Sequence, residues 1–147
     1  MGDSPSGPRI VPAHQQRVAH SYYLSYPAHP PRKKDPHYRD FEAYRRRTKA
    51  TAKCSVGAHR DDFTECAGGL ELHHAHVEFA LQNGVDLAWL ENDYPGISNP
   101  TQVGAWVESA PNLEWLCEFH HRGHGGAHVA SASDFEAEKY VKGLIQR

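Results

Sequence analysis

An α+β domain is the fold class that this sequence predicts, and three patterns predict it. Apolar residues alternate at period two in "GGLELHHAHV" and again at the start of "PNLEWLC", as in strands that bury one face. Short runs at helical spacing lie between them, "VEFALQNG" closed by Gly84 and "VDLAWLENDYPG" closed by Pro95. An S-x-x-E capping box from Ser133 to Glu136 then opens a C-terminal helix, with Ala137, Val141, Leu144 and Ile145 on one face.

Taken in order, residues 1–39 form a Pro-rich lead-in with neither helical nor strand period, expected to be flexible. Its opening "MGDSPS" formally fits a myristoylation pattern, with no other membrane feature beside it. Residues 40–53 predict a basic helix or arm. Asp40 caps it, Phe41 and Tyr44 share one side, and Arg45, Arg46, Arg47, Lys49 and Lys53 cover much of the rest. Residues 54–147 make the folded domain. Within it, strand 70–77 is followed by a helical insertion, 75–111, that either covers the core or shapes a groove. "NPTQVGAWVES" adds a turn or two of helix with Val103, Trp106 and Val107 inward, and Trp89, Trp106 and Trp115 are all expected in the core. There are no internal repeats.

Composition narrows the class. With 39% hydrophobic residues and a mean hydropathy of −0.71, the core is thin. No run approaches the roughly 20 apolar residues of a membrane span. The net charge of −2 hides an asymmetry: residues 1–53 carry 11 Lys/Arg against 4 Asp/Glu, and residues 54–147 carry 5 against 14. A basic segment beside an acidic domain suits either a solvated tail or an arm that neutralises phosphates. Cys54, Cys66 and Cys117 cannot all pair within one chain. An odd count without a signal segment points to a reducing cytoplasm and to thiols that are buried or metal-bound.

Histidine is where the sequence is most specific. Residues 54–147 hold eight, and seven of them fall in two groups, His73-His74-x-His76 and Cys117-x2-His120-His121-x2-His124-x3-His128. Each group ends an apolar segment that can pair with the other as a hairpin. Ligands converging from separate elements are what a metal site requires, and neutral imidazole suits Zn, Ni, Mn or Fe.

In order along the chain, "LELHH", "NLEWLC" and "HH" resemble the motif of the His-Asn-His (HNH) nucleases. The longer pattern is similar to the small HNH proteins of actinobacterial phages, and the resemblance runs over residues 54–145. It implies a ββα-metal core, with a helical insertion, a C-terminal helix and a flexible basic N-terminal arm added. It also implies an endonuclease that hydrolyses DNA by single-metal chemistry, leaving 5′-phosphate and 3′-hydroxyl ends. His73 would bind the catalytic divalent ion (Mg, Mn, Ni or Zn), His74 would be the general base, Asn112 would orient the loop or the base, and His121 would be a second ligand. The usual spacing puts a further ligand at Gly125, which cannot ligate, so His128 or His124 must substitute, His128 being favoured by the glycines that let the chain turn back. Strand alternation sends His73 and His74 to opposite faces, so the strand is expected to end or bulge at this pair.

Many members of the family that the chain resembles brace this core with a four-cysteine zinc site. Here Cys54, Cys66, Cys117 and His120 would make a three-thiolate, one-imidazole structural zinc site, with His59 able to replace a cysteine. Arg45, Arg46, Arg47, Lys49 and Lys53 would contact DNA backbone, with affinity that falls steeply as salt rises. His76 either orients a neighbour or contacts DNA. The phage likeness implies genome processing or packaging beside terminase and portal in the host cytoplasm, with no membrane. The rival expectations are a non-catalytic zinc module that adapts nucleic acid or a packaging complex, and a homing or toxin-type nuclease with its own sequence preference.

Overall fold

The computed structural model describes residues 9–146, so the "MGDSPS" pattern lies outside the described residues. The sheet is a two-stranded antiparallel ladder. Strand β1 (Leu70–His74) pairs with β2 (Leu113–Cys117) in regular register from Leu70 opposite Cys117 to His74 opposite Leu113. Helix α1 (Tyr38–Thr48) and α2 (Ser55–Arg60) precede the sheet, and α3 (Leu87–Asp93) and α4 (Pro100–Val107) lie between its strands. A one-turn helix α5 (Glu118–His121) follows β2 directly, and α6 (Ala132–Ala137) comes last. The protein is thus a mixed helix-and-strand domain, and among the described residues no helix is long and apolar enough to cross a membrane.

Each face of the ladder has its own cover. His74 stacks on Phe41 of α1 at 5.4 Å between ring centres, and the indole N–H of Trp115 donates to Thr48 at the end of the same helix. On the opposite face, His73 meets His121 of α5 and His128 beyond it. Two apolar clusters result. One gathers Cys54, Val56, Leu116, Cys117 and Phe119 around the junction of α2, β2 and α5. The other, Phe79, Ile97, Val103, Trp106 and Val107, is built wholly from the insertion, which therefore carries a small core of its own.

Several expectations are corrected. Helix α1 starts at Tyr38 after His37, ahead of Asp40, which lies in its first turn and takes a hydrogen bond from the His37 ring instead of capping. Residues Phe79–Gly84 form the short helix expected to end at Gly84, and its geometry is 3₁₀. The last helix is capped by Ser131, whose hydroxyl accepts from the Asp134 N–H, and it stops at Ala137. Val141 and Leu144 stay exposed as a result, and only Ile145 packs on the first cluster. Trp89 is 76% exposed and is not core, whereas Trp106 and Trp115 are buried. Within the lead-in, read as flexible or partly extended, residues 27–37 include a 3₁₀ turn (Arg32–Lys34) and lie against the insertion.

Candidate metal centres

Strand β1 does end at the histidine pair, and no bulge interrupts its ladder. Alternation therefore holds, and His73 and His74 leave on opposite faces. One ligand atom from each of His73, His121 and His128 falls within 4.8 Å of the others. Nε2 of His121 and Nε2 of His128 approach to 3.1 Å. Nδ1 of His121 donates to Glu71 at 2.9 Å, which fixes its tautomer and leaves Nε2 with a lone pair. Glu71 is itself held by Arg122 through two hydrogen bonds of 2.9 and 2.6 Å, and its proton affinity is lowered first by that guanidinium. Burial, then the neighbouring His128 and His121, push the His73 imidazole down to about 4, so it stays a neutral donor across ordinary pH. Its Nδ1 is buried without a hydrogen-bond partner among the described residues. Three converging imidazoles and an orphaned nitrogen fit a divalent cation.

Glycines bring the third ligand home. A Cβ at Gly126 would lie 2.5 Å from the His121 carbonyl carbon, and one at Gly125 would lie 2.5 Å from the Phe119 ring. Only glycine permits this close return, which ends with the His128 N–H donating to the His121 carbonyl at 3.1 Å. His128, and not His124, thus joins His73 and His121.

His74 is held quite differently. Its Nε2 hydrogen-bonds Glu108, which is 1% exposed at the C-terminal end of α4. Its Nδ1 stands 3.6 Å from Glu78 Oε2. Burial lowers the proton affinity of His74, but Glu108 and Glu78 outweigh it and the net shift is upward. Glu78 also reaches the other face, with Oε1 3.7 Å from His128 Nε2. The two faces therefore meet past the end of β1, at Glu78. Neither Glu78 nor Glu108 was legible as a site residue: both sit in the insertion, and no spacing rule ties them to the histidines.

Asn112 is fully buried just before β2. Its Oδ1 accepts from the His76 and Val77 N–H groups at 2.9 Å, and its Nδ2 donates to the Val77 and Val107 carbonyls. It holds the loop after β1 and does not touch the His74 ring. His76 lies beyond the strand end, against Tyr94 and Trp106.

The second centre gathers all three cysteines. Nδ1 of His120 lies 3.1 Å from Cys117 Sγ, 3.6 Å from Cys54 Sγ and 3.8 Å from Cys66 Sγ. The four form a group that could hold a metal such as zinc, and His59 is elsewhere, packed edge-on against Tyr140. The Cys54 thiol and then His120 pull Cys117 down to about 3, toward a thiolate. Cys54 is pushed up by its bond to Cys117 and by burial. Nε2 of His120 faces buried Glu138 at 3.7 Å. This donor set suits a structural ion. Arg46, Arg47, Lys49 and Lys53 are exposed, and Arg45 pairs with Glu42 at 3.1 Å.

The chain matches no family model, no curated protein and no solved structure.

Proposed function

We propose that the protein is a divalent-metal-dependent HNH-type endonuclease acting on DNA phosphodiester bonds. One observation carries this reading. His73, His121 and His128 converge within 4.8 Å, while the adjacent His74 is held apart with one ring nitrogen engaged and the other turned toward the trio's edge. The three converging imidazoles would hold the catalytic cation, and Glu71 would keep His121 in the ligating tautomer. When bound there, a divalent ion supplies positive charge against the phosphate and leaving oxygens. His74 would take the proton of the attacking water at Nδ1, since Nε2 is committed to Glu108. Helix α1, whose Phe41 packs on His74, presents Arg46 and Arg47 outward, where they would bind DNA backbone. A role in phage genome processing or packaging belongs to the same proposal, on the sequence resemblance alone.

The test is plasmid cleavage by the wild type and by His74→Ala with Mg, Mn, Ni and Zn, with DNA binding measured alongside. His74→Ala should lose about 10²- to 10⁴-fold in rate and keep its DNA affinity. A wild type that cuts with none of the four ions overturns the reading. The cysteine-rich centre favours a second reading, a non-catalytic zinc module that binds nucleic acid or a packaging partner. It expects DNA or partner binding that depends on zinc and is indifferent to His74→Ala.

A further inference from the structure

We propose that residues 27–37 are a strap that completes the catalytic base, with Arg32 and Glu108 as positioning residues for His74. The inference rests on the nuclease reading for its consequence in catalysis, though not for its geometry. Glu108 is the starting point. A carboxylate that is 1% exposed at the C-terminal end of a helix faces both a desolvation penalty and the negative end of the helix dipole. It needs cationic or donor partners, and it has two: His74 Nε2, and Arg32 Nη2 at 3.3 Å. The first belongs to the nuclease domain. The second arrives from outside it, across 76 residues of chain.

Arg32 reaches His74 by a second route as well. Its guanidinium lies 4.0 Å over the Phe41 ring and 5.3 Å over Tyr38, and Phe41 in turn stacks on His74. Removing Arg32 would therefore loosen both the carboxylate that grips the ring and the aromatic surface behind it. The approach of Arg32 is not a lone contact. Asn83 Nδ2 donates to the Ala28 carbonyl at 2.9 Å, His29 packs edge-on against Phe79, and Gln82 Nε2 donates to Asp35 at 3.1 Å. All three partners lie on the 3₁₀ segment that follows Glu78. The strap is thus fastened on both sides of Arg32.

The chemistry follows from what a carboxylate can do. An ionised Glu108 only accepts, so a neutral His74 ring must carry its proton on Nε2 and leave Nδ1 unprotonated. That is the nitrogen turned toward Glu78 and the edge of the cation site. Arg32 holds the Glu108 carboxylate in place from its other oxygen. A nuclease domain cut at residue 54 would lack this part of its own site.

The experiment uses the full chain with Arg32→Gln, Arg32→Lys, Glu108→Gln and Glu108→Asp, each first shown to be folded by its thermal melt. Two readouts are taken: the ¹⁵N spectrum of the His74 ring at a pH where it is neutral, and the kcat and KM of plasmid nicking. The wild-type ring should carry its proton on Nε2. Arg32→Gln and Glu108→Gln should shift that tautomer and lower kcat about 10²-fold with KM little changed, the size expected when a reacting group is slightly misplaced. Arg32→Lys and Glu108→Asp, which keep the charges, should recover most of the loss. An unchanged ring spectrum in a folded Arg32→Gln overturns the strap whatever the activity. If the wild type cuts no DNA, the nuclease reading falls, and the ring spectrum still decides the strap by itself.

Discussion

Asn112 shows how much a single side chain organises here, because its amide closes four backbone hydrogen bonds inside the protein. Two go to N–H groups just past β1, and two to carbonyls at Val77 and at Val107 in the last turn of α4. Replacing it with alanine would leave these groups, one buried and three part-buried, without this partner, at about 1–3 kcal/mol for each that water cannot reach. Asn112→Ala should therefore lower unfolding stability by roughly 3 kcal/mol or more, read from urea denaturation. A loss below about 1 kcal/mol would mean that the loop after β1 is held by something else. Sequence singled out Asn112 because an Asn ahead of the second strand is part of the resemblance. It left two duties open, and the contacts assign the loop. His74 was equally legible as a residue and illegible in its surroundings. Glu108 and Glu78 reach it from 34 positions away and from four, and nothing in their own neighbourhoods announces it.

At the scale of elements, the turn after α5 is the device on which the candidate cation site depends. Phe119 fills the space beside Gly125, and the His121 backbone fills the space beside Gly126. A Gly126→Ala variant must push the turn away from α5 and carry His128 with it. Binding of Mn to the histidine trio should weaken at least tenfold, about 1.4 kcal/mol, with zinc already filling the cysteine centre. Calorimetric titration reads the change, and an unaltered Mn affinity would remove His128 from the ligand set. The strands were legible because period two survives in any surroundings that bury one face. Short helices fared less well. The 79–84 segment is too short for propensity to choose between 3₁₀ and α, and its geometry is fixed by Gln82 and Asn83 reaching back to the lead-in. The last helix was read two residues late, because Ser131 and Ser133 offer equal capping chemistry and only the fold selects between them. Trp89 was placed inside on apolar neighbours alone, yet α3 turns it outward.

Over the whole molecule, the basic and acidic parts of the sequence meet where residues 27–37 dock on the insertion and α1 packs on the sheet, and Arg32 of the first part pairs there with Glu108 of the second. Stability is divided unevenly between the two apolar clusters. The insertion's cluster contains Trp106, Phe79 and three aliphatic side chains and has no candidate metal ligands inside it. The other cluster includes Cys54 and Cys117 themselves, so its packing and the cysteine centre are one structure. Small cores of this kind gain from a metal what apolar area does not supply. Stripping zinc from the loaded protein with a chelator should then lower Tm by about 10 °C or more, and unevenly. Hydrogen exchange should speed up first in α2, β2 and α5, which carry or adjoin Cys54, Cys117 and His120, and in the loop that holds Cys66, while α4 keeps its protection because Val103, Trp106 and Val107 pack among residues of the insertion. Loss of protection spread evenly over both clusters would mean that they unfold as one unit. Faster exchange confined to α4 would mean that the cysteine centre carries none of the stability assigned to it.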